Sequence, residues 1–409
     1  MKILNFGSCN IDFVYFVDHI GVPGETISGK KLELYPGGKG LNQSIAAARA
    51  GAQVFHAGCI GNDGNMLKDV LCESGVDVYN LCQLDTKNGH AIIQVSRQGE
   101  NSIVLYPGSN ALVSREIIDR VLSNFSKDDI VLLQNEISNV PYIIDAAYKK
   151  GMKIAFNPAP FDESLKKIDF SKISYLILNE TEAMGFTGFE NYQDSIDYLS
   201  KHYSQLTVIL TVGKQGSIYC KNGSIVHQPA FKVEAVDTTA AGDTFIGYFL
   251  AGICSKMSVA ASLKRASIAS ALAVSKMGAA PSIPYEFEVS EAEKTLCEYP
   301  SNKKNTKANI INKYIEENLK DADINALAKN LGYTKVYTGS IVKSETGLTF
   351  SSLLQNKRCE KAAQLLADSN LSVGEIIEEI GYSNESFFRK CFKDIYNITP
   401  LKYRNENKK

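Results

Sequence analysis

The spacing of apolar residues changes once along the chain, near residue 290. Before that point, short runs that are apolar throughout alternate with longer stretches in which apolar residues recur every three or four positions. Strands that are apolar on both faces and separated by helices are typical of a parallel sheet covered on each side. The pattern predicts an α/β fold with strands at 1–6, 130–133, 153–156, 175–178 and 207–211, and helices at 44–51, 140–150, 192–202 and 244–253.

Five other runs suit strands but do not fit this alternation. Four of them are rich in β-branched and aromatic residues, at 13–17, 26–35, 91–97 and 101–106. An alternating run at 223–236 predicts a further strand just before the helix at 244–253.

After a polar break at 285–307, apolar residues recur at helical spacing only. Two helix-turn-helix patterns are present, one at 324–343 and one about 49 residues later at 373–393, and a long predicted helix at 351–366 joins them. The last hundred residues therefore predict an all-α domain.

Charge differs between these two parts. Residues 1–300 hold 26 Lys and Arg against 32 Asp and Glu, whereas residues 301–409 hold 18 against 13. The basic tail indicates an anionic partner. Nine cysteines without C-x-x-C spacing argue against a zinc site and for free thiols in a reducing cytosol. We found no secretory or membrane-spanning pattern, so we expect a cytoplasmic protein without a membrane partner.

Polar clusters follow the predicted strands of the sheet. Ligands of parallel sheets bind beyond the carboxyl ends of the strands, so these clusters should meet at one site. They are Asn10 with Asp12, 134–136, 157–158, 179–182 and 211–216.

Two stretches of small residues stand just before predicted helices. The first, 36–43, contains three glycines, Lys39 and Asn42; the second, 237–245, reads Asp-Thr-Thr-Ala-Ala-Gly-Asp-Thr-Phe. A helix start offers unpaired N–H groups to a phosphate, and Asp243 beside it can accept a proton from a hydroxyl. Taken alone, a capped helix start explains the same residues. No P-loop is present, so the residues favour phosphoryl transfer to a polyol by another architecture.

The same two stretches resemble the two signatures of the PfkB carbohydrate kinases, and within that family residues 1–290 are most similar to ribokinases. The resemblance implies a ribokinase-like parallel-sheet sandwich with a small β lid, at about 12–36 and 90–107. The family's lid also forms its dimer contact, so the resemblance implies a homodimer.

The resemblance also implies roles for individual residues. Asp243 would be the general base, and N–H groups at the same helix start would stabilise the transferring phosphoryl: Ala240, Ala241 and Gly242. Besides Asp243, the sugar would be bound by Asn10, Asp12, Gly38, Lys39, Gly40, Asn42 and Glu136. ATP and Mg²⁺ would be bound by Asn179, Glu182, Thr211, Gly213, Gly216, Gly242 and Ser267, where Ser267 replaces an asparagine frequent in ribokinases. K⁺ would lie near Asp237, Thr239, Ala273, Lys276, Gly278 and Ser282.

Residues 305–404 resemble the AraC-type DNA-binding domain, most specifically in the second helix-turn-helix pattern. DNA contacts would come from Asn384, Glu385, Ser386, Arg389 and Lys390. The first pattern departs from the family at Thr338, Gly339 and Ser340. We predict a sugar kinase domain at 1–290, a linker at 291–307 and a DNA-binding domain at 308–409.

Two functions remain open from the sequence. One is an ATP-dependent kinase, with ribose to ribose 5-phosphate as the preferred reaction, coupled to transcriptional regulation through the tail. The other is a transcription factor whose kinase-like domain serves only as a sugar sensor. For the tail, a helical interaction domain without DNA contact is a further alternative.

Overall fold

The computed structural model of the chain describes residues 1–162, 165, 168–203, 205–222, 224–298, 307–331, 333–346, 348–369, 371–382, 384–396 and 398–407. The chain forms two compact units, Met1–Thr295 and Leu296–Lys409, which we call the N-terminal and C-terminal units. Residues 299–306 of the predicted linker lie outside the described part.

A nine-stranded sheet forms the centre of the N-terminal unit. Its strands are β1 (Ile3–Phe6), β4 (Val54–Ile60), β5 (Leu81–Gln83), β8 (Ile130–Gln134), β9 (Lys153–Asn157), β10 (Tyr175–Asn179), β11 (Thr207–Thr211), β12 (Ser217–Lys221) and β13 (Ser224–Gln228). Their order is β13-β12-β11-β10-β9-β8-β1-β4-β5. Neighbours pair in parallel except at the edge, where β12 is antiparallel to β11 and β13. The predicted parallel sheet is confirmed.

The strand predicted at 223–236 is wrong in its second half. Strand β13 ends at Gln228, because Pro229 has no N–H with which to continue the ladder. Residue 223 lies outside the described residues. Strands β4, β5 and β12 were not predicted.

A second sheet of four strands corresponds to the predicted lid. It consists of β2 (Asn10–Phe16), β3 (Lys31–Gly37), β6 (Gly89–Val95) and β7 (Asn101–Tyr106), in the order β3-β2-β6-β7. The strand predicted at 26–35 begins later, at Lys31, because Lys31 is the residue that pairs with Phe16 at the end of β2. Asn10 and Asp12 therefore lie on a lid strand directly after β1.

Helices cover both faces of the large sheet. They are α1 (Lys39–Arg49), α2 (Asn65–Glu73), α3 (Arg115–Leu122), α4 (Val140–Lys149), α5 (Glu180–Thr187), α6 (Tyr192–His202), α7 (Ala241–Cys254), α8 (Val259–Val274) and α9 (Glu286–Glu298). Buried side chains of α3 to α6 form one apolar layer with the sheet, and those of α1, α2, α7 and α8 form the other. Helix α9 crosses the predicted start of the linker at 291.

The C-terminal unit contains helices only among its described residues. They are α10 (Lys307–Glu317), α11 (Ile324–Leu331), α12 (Lys335–Thr346), α13 (Phe350–Asp368), α14 (Val373–Glu379), α15 (Glu385–Tyr396) and α16 (Pro400–Asn407). Helices α11 and α12 form the first helix-turn-helix motif, α14 and α15 form the second, and α13 contributes to the apolar core of each. None of the described helices combines the length and the apolarity needed to cross a membrane.

A bracket of hydrogen bonds joins the two motifs. Arg358 on α13 donates from Nε to the carbonyl of Leu319 (2.9 Å) and from Nη2 to the carbonyl of Lys320 (2.8 Å), in the loop before α11. Its guanidinium also lies over the ring of Tyr382, 5.3 Å from the centroid. Gly381, in the turn of the second motif, has φ of +79°, and a Cβ there would lie 2.4 Å from the Lys320 carbonyl oxygen. The turn of one motif therefore packs directly against the loop that precedes the other.

Candidate active site

Small residues allow the start of α1 to lie against the end of β1. A Cβ on Gly40 would lie 2.3 Å from the backbone nitrogen of Ser8, and a Cβ on Gly37 would lie 2.1 Å from Oδ2 of Asp12. Gly38 precedes α1 with φ of +95°, a conformation that glycine adopts readily. The glycines of this stretch therefore bring Lys39 and Asn42 up to the strand that carries Asn10 and Asp12.

Glu136 connects the end of β8 with Ser8, after β1, and with Lys39, at the start of α1. It follows β8, and its Oε2 accepts hydrogen bonds from the Ser8 hydroxyl and from the backbone N–H of Lys39 (3.0 Å). Asn10 is held from another side, because its Oδ1 accepts a hydrogen bond from Nδ2 of Asn110 (2.7 Å). Asn10, Asn110 and Glu136 line a cavity of about 330 Å³, together with lid residues Leu105 and Tyr106.

Asp243 lies in the first turn of α7 and is 9% exposed. Its Oδ2 accepts a hydrogen bond from Nδ2 of Asn42 (3.1 Å), and its Oδ1 accepts one from Nε2 of Gln43 (2.9 Å). The amide oxygen of Asn42 is buried without a hydrogen-bond partner. A hydroxyl group of a ligand would satisfy it.

A second cavity, of about 240 Å³, begins at this carboxylate. Its lining includes Lys39, Asn157, Asn179, Glu182, Thr211, Ala240, Gly242 and Asp243. Ala240, just before α7, has φ of +59°, which is strained for a residue with a side chain. The N–H of Ala241 lies 3.3 Å from the Thr238 carbonyl. The N–H groups of Gly242 and Asp243 follow in the first turn of α7, where N–H groups have no intrahelical partner. A negatively charged group in this cavity would face a helix N-terminus.

The charged groups of the site shift one another's pKa values. Burial, followed by the repulsion of Glu136, raises the pKa of Asp12 to about 7. Burial also raises the pKa of Glu136 and of Glu182. For Lys39 burial acts in the opposite direction, but Asp243, Glu136 and Glu182 outweigh it and raise the pKa of the ammonium group. Lys39 is therefore a stable cation among three carboxylates.

Two of the predicted nucleotide residues bind each other. The side chain of Asn179 accepts a hydrogen bond from the N–H of Glu182 (2.8 Å), and the carboxylate of Glu182 accepts one from the N–H of Asn179 (3.0 Å). Such a capping box leaves one oxygen of Glu182 for another partner. Thr211 ends β11, and Gly213 and Gly216 follow it in a turn in which both have positive φ. Ser267 is buried on α8 and is not part of the cavity lining.

The predicted cation residues are only partly brought together. Oδ1 of Asp237 accepts hydrogen bonds from the N–H (2.9 Å) and hydroxyl (2.6 Å) of Thr239, and Oδ2 accepts one from the N–H of Gly278 (2.9 Å). Partial burial opposes ionisation of Asp237, but these bonds outweigh it and lower its pKa. The other three have other partners: the Ala273 carbonyl accepts from the Lys276 N–H, the Lys276 ammonium contacts Glu288, and the Ser282 hydroxyl donates to the Ala279 carbonyl.

Sequence reasoning missed three polar side chains of this region, Gln43, Asn110 and Ser8. Gln43 directly follows Asn42 at a helix start, which is a usable signal. Asn110 is 2% exposed and lies in a short turn after β7, where no spacing distinguishes it from any loop asparagine.

In the C-terminal unit, the predicted DNA-contacting residues lie in the N-terminal half of α15, except Asn384, which directly precedes the helix. Asn384, Glu385, Ser386 and Lys390 are exposed, while Arg389 is half-buried. Oδ1 of Asn384 accepts a hydrogen bond from the N–H of Phe387 (2.9 Å), and Arg389 donates from Nη2 to Oε1 of Glu385 (2.6 Å). Phe388 and Phe392 are fully buried in the core of the second motif.

These features define the class of the protein. One cavity, lined by amide and carboxylate side chains, lies under a β lid, and a second lies at the Asp243 carboxylate and a strained helix start, on an α/β sandwich, as in enzymes that phosphorylate sugars. The family model for pfkB family carbohydrate kinases matches residues 1–286, and a helix-turn-helix domain model matches residues 327–406. The chain belongs to the PfkB family of carbohydrate kinases, and it carries an AraC-type helix-turn-helix domain at its C-terminal end.

Individual relatives match the N-terminal unit over nearly their whole length. A ribokinase of Haemophilus influenzae is 36% identical over 298 residues, which are 70% of this chain and 96% of the relative. A deoxyribokinase of Salmonella typhi is 31% identical over 299 residues, 69% of this chain and 96% of the relative. The crystal structure of ribokinase from Cryptococcus neoformans var. grubii serotype A in complex with ADP is similar with a TM-score of 0.65 and 34% identity, covering 71% of this chain and 98% of that one.

Proposed function

We propose that the N-terminal unit transfers the γ-phosphoryl group of ATP to a primary hydroxyl of a pentose, with Asp243 as the general base. The observation that carries this proposal is the position of the Asp243 carboxylate, held by Asn42 and Gln43 at the start of α7. The hydroxyl gives its proton to Asp243, its oxygen bonds to the γ-phosphorus, and the bond to the β-phosphate oxygen breaks, releasing ADP. The N–H groups at Ala240, Ala241 and Gly242 would stabilise the charge on the phosphoryl oxygens.

The sugar would lie between the lid and α1. Asp12 and Glu136 can accept hydroxyl hydrogen bonds, Lys39 and Asn42 can donate, and Asn10 offers an amide; Gly38 and Gly40 let the ring approach the backbone. Ribose is the preferred substrate, since the ribokinase of H. influenzae is among the most similar relatives. Deoxyribose is the second candidate, since a deoxyribokinase is 31% identical.

The residues present fit a magnesium nucleotide. Mg²⁺ is commonly held by one or two carboxylates and by substrate phosphates, with water in its remaining positions. Glu182 would supply a carboxylate and Asn179 would position it, and Thr211, Gly213 and Gly216 would line the nucleotide site; Ser267 would approach the adenine. The metal would neutralise charge between the phosphates. K⁺ would bind near Asp237, Thr239 and Gly278, and carbonyls near Ala273, Lys276 and Ser282 would complete its shell.

Phosphorylation of a panel of pentoses and hexoses with Mg-ATP, with and without K⁺, tests this proposal. We expect turnover with ribose or 2-deoxyribose, and a loss of about 10²- to 10⁴-fold in kcat in Asp243→Asn. Turnover in the wild type no greater than in Asp243→Asn would contradict the enzyme and favour the alternative function, a sugar sensor. In that case ribose would still bind in calorimetry.

We further propose that the C-terminal unit binds DNA through α15 and regulates transcription in response to the sugar. Its support is the cluster of exposed polar residues at the start of α15 and the net positive charge of residues 301–409. Mobility shift with DNA upstream of the gene, at several stated salt concentrations, is the measurement. We expect Lys390→Ala to lower the salt slope by about one and Arg389→Ala to weaken the preference for that DNA. Binding that neither prefers that DNA nor changes in Arg389→Ala would contradict a role in transcriptional regulation, and no DNA binding at all would favour a helical interaction domain.

A homodimer through the lid is the third proposal. Leu34, Ile92 and Val104 lie in one row across the lid sheet, because Phe13 pairs with Leu34 and Ile92, and Ile92 pairs with Val104. They are 48%, 40% and 64% exposed. A second copy of this sheet would cover such an apolar row. Light scattering should give twice the chain mass for the wild type and a single chain for Val104→Lys; a wild-type monomer would contradict the proposal.

A further inference from the structure

We propose that Gln43 is a positioning residue for the catalytic carboxylate and that a buried chain of hydrogen bonds through the core holds it in place. The inference rests on the proposed role of Asp243. Gln43 is fully buried on α1, 200 positions before Asp243 in the sequence.

Both N–H donors and the oxygen of the Gln43 amide are used. Its Nε2 donates to Oδ1 of Asp243 (2.9 Å) and to Oδ1 of Asn157 (3.2 Å), and its Oε1 accepts from Nε2 of Gln134 (2.7 Å). If the amide were turned over, its oxygen would face the Asp243 carboxylate and its NH₂ group would face that of Gln134. The neighbours therefore determine which way the amide points.

The chain continues away from the active site. Nε2 of Gln134 also donates to Oδ1 of Asn5 (3.1 Å), and Nδ2 of Asn5 donates to the Ser44 hydroxyl and to the Gly40 carbonyl, each at 2.8 Å. Ser44 in turn contacts Nδ1 of His56 at 2.8 Å. Burial lowers the pKa of His56 to about 4, so this histidine is neutral. Within this chain of side chains, the charge is carried by Asp243.

Each oxygen of the Asp243 carboxylate receives one amide donor, Oδ2 from Asn42 and Oδ1 from Gln43. The charged groups that interact with it through space are Lys39, Glu136 and Glu182. Both donors come from consecutive residues of α1, which also begins the sugar site. Helix α1 therefore fixes both the plane of the Asp243 carboxylate and the position of the sugar.

Helices α1 and α7 pack closely enough to hold the backbone of Asp243 in place relative to α1. A Cβ on Gly247 of α7 would lie 2.4 Å from Cβ of Ala46 on α1, so the two helices pack almost backbone to backbone. Asp243 lies one turn before Gly247 on α7. A shift of the carboxylate therefore depends on rotation of its own side chain, which Gln43 opposes.

The test compares Gln43→Met and Gln43→Glu with the wild type. Methionine keeps the length of the side chain but removes the donor to Asp243, and we expect kcat to fall about 10- to 100-fold while the KM for the sugar changes less than threefold. Glutamate places a second carboxylate at Oδ1 of Asp243, and we expect the acidic limb of the kcat–pH profile to move to higher pH. Loss of the donor in Gln43→Met should move the same limb, whereas a role in packing alone would change stability without moving it.

Gln53→Met is the matched control, because it makes the same substitution at an exposed position outside the buried chain of hydrogen bonds. We expect kcat and the acidic limb to be unchanged in this variant. Wild-type kcat and an unmoved limb in both Gln43 variants would overturn the proposal; if Gln43→Met does not fold, the limb of Gln43→Glu decides. Asp243→Asn is measured in parallel: a fully active Asp243→Asn would overturn the base itself, whereas an inactive one beside wild-type-like Gln43 variants would overturn positioning only.

Discussion

The N-terminal and C-terminal units present their candidate functional side chains in opposite ways. In the N-terminal unit, Asp243 is buried and receives hydrogen bonds from another helix. In the C-terminal unit, Glu385 and Lys390 are exposed, and the bonds found at Glu385 and Arg389 are made within α15 itself. The first arrangement holds charges in place before a ligand arrives, and the second leaves them free to adapt.

This difference indicates where each unit is sensitive to substitution. A preorganised buried site loses function when a single contact is displaced. Substitutions on an exposed reading surface cost little stability unless they damage the core beneath it.

The largest effect is expected from Phe388→Ala in the core below α15. Phe388 is fully buried, with ring centroids 5.4 Å from Tyr382 and 5.6 Å from Phe392. Its truncation should lower the free energy of unfolding of the C-terminal unit by about 3–5 kcal/mol. Hydrogen exchange of residues 371–407 measures the loss, while sugar phosphorylation should persist. Phe387→Ala, at a 45% exposed position, is the control. An equal loss of turnover in Phe388→Ala would contradict the independence of the two units.

Gly37→Ala should disturb the sugar site without changing any polar group. The added Cβ would lie 2.1 Å from Oδ2 of Asp12, so the carboxylate must move. Crowding of this kind costs about 1–3 kcal/mol, which corresponds to a rise of about 5- to 150-fold in the KM for the sugar. Gly29→Ala controls for a substitution near the lid sheet, because its Cβ would lie 3.5 Å from Tyr15. Unchanged KM in Gly37→Ala would exclude Asp12 from sugar binding.

The pH dependence of KM tests the charge of Asp12. Its pKa is raised to about 7, so in the free enzyme the carboxyl group is largely protonated at pH 6 and ionised at pH 8. If the sugar binds the ionised form, KM should fall about tenfold from pH 6 to pH 8, and Asp12→Asn should remove this dependence. The raised pKa also means that the folded state binds an extra proton between about pH 4 and 7, so the contribution of Asp12 to stability falls as pH rises through that range. A flat KM would show that the protonated group binds equally well.

The smallest effect is expected at Gly339 on α12. A Cβ there would lie 3.8 Å from Cδ1 of Ile324, an ordinary contact. Gly339→Ala should therefore stabilise the C-terminal unit by about 1 kcal/mol, measured by chemical denaturation. Gly381→Ala should do the reverse, since φ is +79° and the Lys320 carbonyl stands 2.4 Å away. Equal changes in the free energy of unfolding for Gly339→Ala and Gly381→Ala would contradict this prediction.

The strands of the sheet centre could be predicted because they are apolar on both faces, as in 130–133 and 207–211. The helices of both helix-turn-helix motifs followed from helical spacing in the same way. Strand β12 could not be predicted so simply, since it lies next to the edge of the sheet and pairs antiparallel with β11 and with the edge strand β13. The residues of the two signature stretches were identified by resemblance to a family.

The missed site residues share one property. Gln43 acquires its proposed role from Asp243 and Asn157, and Asn110 acquires its contact from Asn10, at separations of 200, 114 and 100 positions. The local sequence marks Gln43 only as a neighbour of Asn42 at a helix start and does not mark Asn110 at all, so the contacts of both amides are recognisable only when their distant partners are known.

The bracket of Arg358 and Gly381 has a consequence for the DNA proposed above. Because the loop before α11 is held against the turn before α15, helices α12 and α15 keep a fixed distance and orientation relative to each other. Successive major grooves on one face of DNA lie about 34–36 Å apart, and one added base pair moves the second groove by roughly 3.4 Å and turns it by roughly 35°. Two helices held at a fixed distance and orientation cannot follow that movement. The spacing between two half-sites should therefore matter to this protein as much as their sequence.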